Sequence, residues 1–171
     1  MWASNMGLMA SAGVGPAETG GCHRHQRTAD GRLTAANLHW IKSFETGSDE
    51  IDALHRALVE ECNGLLLAVE SGAAWSSIVA GAGRLVEGCI QHFRHEEELL
   101  DWARFPRQAE HVAEHRRVER ELQGLLARMQ AVDGSLEEHR AYPRALGPML
   151  VEVIIRHDLD YRSHLMHVQG R

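Results

Sequence analysis

Apolar positions along this chain recur at helical spacing in four separate stretches, and no stretch shows the strict alternation of a half-buried strand. The first runs from about Asp49 to Glu70, where Ile51, Leu54, Leu58, Leu65 and Val69 form an inward stripe with His55 beside it. Ser48 or Asp49 suits its N-cap, and Ser71-Gly72 closes it. The second runs from about Ser76 to Arg104 and places Ile78, Leu85, Cys89, His92, Glu96 and Leu99 near one face. The third follows Pro106, a good first-turn residue, and ends near Asp133-Gly134. His111, His115, Val118, Leu122, Leu125 and Met129 share its inner side, while Glu114, Arg116, Arg117, Glu119 and Arg120 read as solvated charges. Ser135-Leu136-Glu137-Glu138 has capping-box spacing and opens the last region. Pro143 and Pro148 interrupt that region, because an interior proline removes a helix hydrogen bond. The pattern therefore predicts a short piece and then a final helix from about Pro148 to His167. Leu150, Ile154, His157, Asp158, Tyr161 and Leu165 face inward on it. Four long helices with short joints predict an all-α fold, an antiparallel up-down four-helix bundle.

Residues 1–36 show no such period and are rich in Gly, Ala, Ser and Thr, which predicts a disordered N-terminal tail ahead of a single domain over residues 37–171. Cys22, His23 and His25 lie close together in that tail, but a disordered segment holds no fixed ligand geometry. Trp40 and Phe44 are the apolar anchors of an ordered approach segment.

Composition narrows the function. The formal net charge of −6 disfavours a general nucleic-acid binder, which needs a basic surface. No run of 18 apolar residues appears, so no membrane span is expected, and the N-terminus does not read as a signal peptide. Cys22, Cys62 and Cys89 are odd in number and lack CxxC spacing, which fits free thiols in a reducing cytoplasm. Twelve histidines are many for this length and fit metal binding.

The stretch from His92 to His115 carries the chemistry. His92 and Glu96 are four residues apart, and so are His111 and His115, so each pair stacks on one helical face. Imidazole nitrogen with carboxylate oxygen suits first-row transition metals, and bundles build metal sites from inward side chains on facing helices. One such pair is usually a solvated face. Two of them on consecutive helices, with His55 on a third, point to a non-heme iron site inside the bundle.

In these residues the chain resembles the hemerythrin family in its bacterial single-domain form. The similar residues are Trp40, Phe44-Glu45-Thr46-Gly47, Ile51-Asp52 with His55, Asn63, His92-Phe93-x-x-Glu96-Glu97, Phe105-Pro106 in the place of a Tyr-Pro, and His111-x-x-x-His115. The resemblance spans roughly residues 38–168. It implies a four-helix bundle around two oxo- or hydroxo-bridged iron ions that binds dioxygen reversibly, as a carrier, store or sensor rather than an enzyme. By the same resemblance His55 and His92 hold the iron that takes dioxygen, His111 and His115 hold the other, and Glu96 and Asp158 bridge them. Leu58, Leu99, Leu100 and Ile154 are candidates, by spacing, for an apolar lining that keeps water out. The alternatives are a di-iron enzyme acting on peroxide or oxygen, and an oxygen-responsive module that signals through a separate partner protein.

The chain departs from the family at one ligand. The family carries a histidine five residues before the bridging aspartate, and Val153 stands there. His157 lies one turn further on, only about 40° around the helix axis from Val153. It reaches the iron held by His111 and His115 if the helix shifts; otherwise water or Asp160 fills the place.

Overall fold

The computed structural model describes residues 38–153, 158–168 and 170. Among these the regular elements are all helical: α1 (Asp49–Glu70), α2 (Trp75–Trp102), α3 (Gln108–Gln130), α4 (Ala141–Glu152) and α5 (Arg162–Val168). Short 3-10 turns lie at Lys42–Phe44, Glu137–Arg140 and Asp158–Tyr161.

The ends of α1 follow from local chemistry. The Ser48 hydroxyl accepts a hydrogen bond from the Ile51 N–H at 3.4 Å, and Asp49, Glu50 and Asp52 complement the positive end of the helix dipole. At the other end Gly72 takes φ +71°, a left-handed turn that a side chain resists. The next joint is short, so α2 returns beside α1. Three contacts show that the two run antiparallel: His55 lies by His92, Leu58 by Gly88 and Leu65 by Gly81. The same descending register relates α2 to α3 (Phe93 on His115, Trp75 bonded to Val132) and α1 to α4 (Leu66 by Gly147, Val69 bonded to Arg140). The four long helices thus close into an antiparallel bundle.

The main core holds Val59, Leu65, Ile78, Leu85, Phe93, Leu122, Met129 and Leu146, all buried. A second cluster of Leu100, Ala103, Phe105, Tyr161 and Leu165 closes one end. The metal-binding candidates lie between the two. The approach segment is clamped over α1 by a two-way amide bond: Asn63 Oδ1 accepts from the Leu38 N–H at 2.8 Å and Asn63 Nδ2 donates to the Leu38 carbonyl at 2.9 Å. Asp52 Oδ1 accepts from the Thr46 N–H at 2.7 Å and from its hydroxyl at 3.0 Å. These bonds hold Trp40 with its ring 5.9 Å from that of His55.

The last helical region differs from the expectation of one helix over Pro148–His167. Helix α4 begins earlier, at Ala141, and runs through both prolines. Pro143 falls in its first turn, where no N–H is required, and Pro148 lies exposed inside it, where only one internal bond is lost. The helix ends at Glu152, and the chain re-enters the description as the turn at Asp158 followed by α5. Ile154 and His157 lie outside the described residues, as do the tail and its Cys22, His23 and His25. At the predicted capping box the Ser135 N–H donates to Asp133 Oδ1 at 2.9 Å, and a 3-10 turn follows at Glu137–Arg140. Helix α3 starts at Gln108, two residues past Pro106, and ends at Gln130.

Candidate metal centre

Four helical elements each bring part of one buried cluster. Helix α1 brings His55, α2 brings His92 and Glu96, α3 brings His111 and His115, and the turn after α4 brings Asp158. His55, Glu96 and Asp158 are completely buried, and the others nearly so. The helical spacings noted above aim both members of each α2 and α3 pair at the same region.

The donor atoms converge. Glu96 Oε2 lies 3.2 Å from His115 Nε2, 3.4 Å from His111 Nε2 and 3.5 Å from His92 Nε2. Asp158 Oδ2 lies 2.9 Å from His55 Nε2 and 3.5 Å from His92 Nε2. The Nε2 atoms of His55 and His92 are 3.2 Å apart. Two ligand groups result: Glu96, His111, His115 and Asp158 in one, and His55, His92 and Asp158 in the other, each with its donor atoms within 4.8 Å of one another. Asp158 belongs to both, and Glu96 reaches histidines of both.

This arrangement fits metal ions. Both oxygens of Glu96, both of Asp158, and the Nε2 atoms of His111 and His115 are buried without a hydrogen bond. Buried carboxylates left in that state are costly. Cations between them remove that cost. Neighbouring ligands on one ion sit about 3 Å apart when each metal bond is about 2.1 Å, close to the donor separations seen here.

Without a metal the groups tune one another. Burial raises the Glu96 carboxyl, but the contacts of His111 and His115 and the nearby imidazoles outweigh it and hold Glu96 well below the ordinary carboxylate value. Burial lowers His92, yet Asp158 and Glu96 raise it further, so its net shift is upward. Burial likewise lowers His115, and Glu96, Glu97 and Asp158 turn the shift upward.

Two residues beyond the predicted set join the centre. Glu97 Oε1 lies 3.1 Å from His115 Nδ1, behind the nitrogen that faces Glu96. Arg116 grips Glu97 with two bonds, Nη1 to Oε1 at 3.1 Å and Nη2 to Oε2 at 2.8 Å. Arg116 also lies 3.4 Å from Glu119, which accepts from Arg94 at 3.0 Å. Arg116 and Glu119 are therefore not free solvated charges but the outer part of a network that orients a candidate ligand. The doubled Glu96-Glu97 was the only trace of this in the sequence, since the partner lies on another helix. Tyr161 is the second addition. Its hydroxyl is buried beside Glu96 and Thr46, its ring lies 5.6 Å from His111, and burial pushes its phenol well above the ordinary value.

The expected apolar lining is partly different. A small cavity of about 10 Å³, room for one water-sized molecule, is lined by Leu58, Cys89, Phe93, Leu150 and Val153 and, among the described candidate ligands, touches His92 alone. Leu58 lines it as expected. Leu99 and Leu100 do not: they lie one turn past Glu96 and pack in the end cluster with Phe105 and Tyr161. Val153 is buried in the cavity wall. Asp160, offered as a substitute ligand, is exposed and paired with Arg107. Cys62 and Cys89 are free buried thiols, and burial pushes them up to about 11 and about 12.

A helical bundle with two histidine pairs sharing two buried carboxylates defines a cation-binding bundle protein. The family model for the hemerythrin HHE cation binding domain matches residues 46–165, and the chain belongs to that family. No match was found among curated proteins. No helix among the described residues is long and apolar enough to cross a membrane.

Proposed function

We propose that this protein holds two iron ions and binds dioxygen reversibly, as a carrier, store or sensor rather than as an enzyme. The observation that carries this reading is the sharing of Asp158 and Glu96 between the pairs His55/His92 and His111/His115 inside one buried cluster. Bridging carboxylates are what hold two ions side by side, and three or four protein donors per ion leave room for a small exogenous ligand. When bound, the iron pair supplies the two electrons that reversible dioxygen binding needs.

The chain's own residues do the rest. His55 and His92 hold the ion nearer the apolar cavity, and among the described ligands that cavity reaches the centre at His92. Leu58, Phe93 and Val153 keep the space dry and small, which favours a neutral diatomic over water or an anion. His111 and His115 hold the other ion, with Glu97 fixing the orientation of His115. Trp40 covers His55 from outside. The free Cys62 and Cys89 agree with a cytoplasmic setting.

The test is iron content per chain together with the visible spectrum of protein purified reduced and then exposed to air. About two irons, with a band that appears in air and vanishes on deoxygenation, support the proposal. Zero or one iron and no reversible band reject it. Sustained peroxide turnover with a reductant, without the reversible band, favours the enzyme alternative.

A further inference from the structure

The small cavity beside His92 is separated from an open groove by very little protein. That groove has a volume of about 320 Å³ and runs along the outside of the α1–α2 pair. It is lined by Leu54, Ala57, Leu58, Gly88 and His92, among others. Ion pairs tie the two helices together along it: Glu61 with Arg84 at 3.0 Å and, toward the other end, Glu50 with His95 at 2.6 Å. Leu58 and His92 line both the groove and the inner cavity. His92 is held at the centre by its contacts with His55, Glu96 and Asp158. Leu58 is therefore the one of the two that is free to change rotamer.

The residue opposite is a glycine. Gly88 lies in the middle of α2, where glycine is a poor helix former, and a Cβ there would come 3.0 Å from Leu58 Cδ2. The missing side chain is what lets Leu58 seat directly against the α2 backbone at the boundary between groove and cavity.

We infer that small neutral molecules reach the centre through the α1–α2 groove, and that Leu58, moving over Gly88, is the gate that admits them and excludes larger or charged solutes. The groove is polar at its ion pairs and apolar at its floor. Among the described residues that line it, the inner cavity offers no cation or anion partner except the ligand His92 itself. The gate thus selects by size and by charge. That the admitted molecule is dioxygen rests on the di-iron reading above; the route itself does not.

The protein carries its own probes. Cys89 lines the inner cavity, whereas Cys62 is equally buried in the same core but does not line it. The experiment is the rate of modification of each cysteine by methyl methanethiosulfonate in the full chain as purified, read peptide by peptide by mass spectrometry, with iron content measured alongside. Leu58→Ala is expected to speed modification of Cys89 about tenfold and leave Cys62 within twofold of the parent. Leu122→Ala removes the same side chain from the opposite cavity wall, away from the groove, and is expected to leave both rates within twofold. Gly88→Ala is expected to change the Cys89 rate several-fold, because its methyl crowds Leu58 Cδ2 out of its present seat; it decides the matter if Leu58→Ala loosens the whole bundle. Equal acceleration of Cys89 by Leu58→Ala and Leu122→Ala, or an unchanged Cys89 rate in Gly88→Ala, overturns the gate. Failure to find iron rejects the di-iron reading while leaving these rates readable.

Discussion

His115 is held from both sides by neighbouring carboxylates of one helix: its Nε2 lies 3.2 Å from Glu96, and its Nδ1 lies 3.1 Å from Glu97. Among the four candidate histidine ligands that the structure describes, Nδ1 of His55 and of His92 has no partner, so this backing is unequal between the two pairs. A carboxylate behind a ligating imidazole fixes its tautomer and makes it a stronger donor. Glu97→Gln should weaken one of two metal sites about 10- to 100-fold and spare the other. Cobalt(II) titration followed by visible absorbance resolves the two steps; a uniform loss at both, or none, would contradict the assignment.

Removing a ligand outright is a coarser test. His111→Ala is expected to cost the chain at least one metal ion, measured as iron per chain. Full loading of that variant would show that His111 serves the fold and not the metal.

Val153 is buried in the cavity wall, at the position where the family resemblance implies a ligand to the ion of His111 and His115. If that ion is under-ligated, Val153→His should raise iron occupancy and slow the loss of the air-reversible band. No change in either means that another donor already completes the site.

The metal-free protein should respond to pH with a definite sign. His92 and His115 are raised above the ordinary value of 6.5, so their stabilisation is complete below that value and is lost as pH rises through their folded values. Glu96 is depressed below 4.5, so its contribution is present above that value and is lost only as pH falls through the lower folded one. Thermal stability of the metal-free chain should therefore be highest between about pH 4.5 and 6.5 and decline toward pH 9. Metal affinity should do the opposite and rise with pH, since His92 and His115 must lose protons to bind. Melting curves from pH 5 to 9, with and without metal, check both signs.

The joint after α3 offers a test of the fold apart from the metal. Gly134 has φ +71°, and a Cβ there would meet the Trp75 ring at 2.3 Å. Trp75 is itself pinned, its Nε1 donating to the Val132 carbonyl at 2.9 Å. Gly134→Ala combines left-handed strain with overpacking and should cost roughly 2–4 kcal/mol in urea unfolding, with metal stoichiometry unchanged.

The sequence by itself determined what depends on neighbours along the chain. Apolar spacing located α1 to its end residues and α2 to within two, because a 3.6-residue period and capping by Ser48 and Gly72 are local physics. Four-residue spacing placed His92 with Glu96, and His111 with His115, on shared faces for the same reason. The tertiary structure decided what depends on which helix stands opposite. Glu97 reaches His115 across a helix interface, and no spacing within α2 reveals that. Leu99 and Leu100 had the right period for the cavity wall but sit one turn too far along α2, in the end cluster. The prolines that seemed to break the last helix are accommodated because Pro143 falls in a first turn and Pro148 on an exposed face; packing against α1 keeps the helix together past the bond that Pro148 cannot make. Ligand type and periodicity were thus readable one residue at a time. The sharing of Asp158 between two histidine pairs, and the close seat of Leu58 on Gly88, exist only once the helices close around one point.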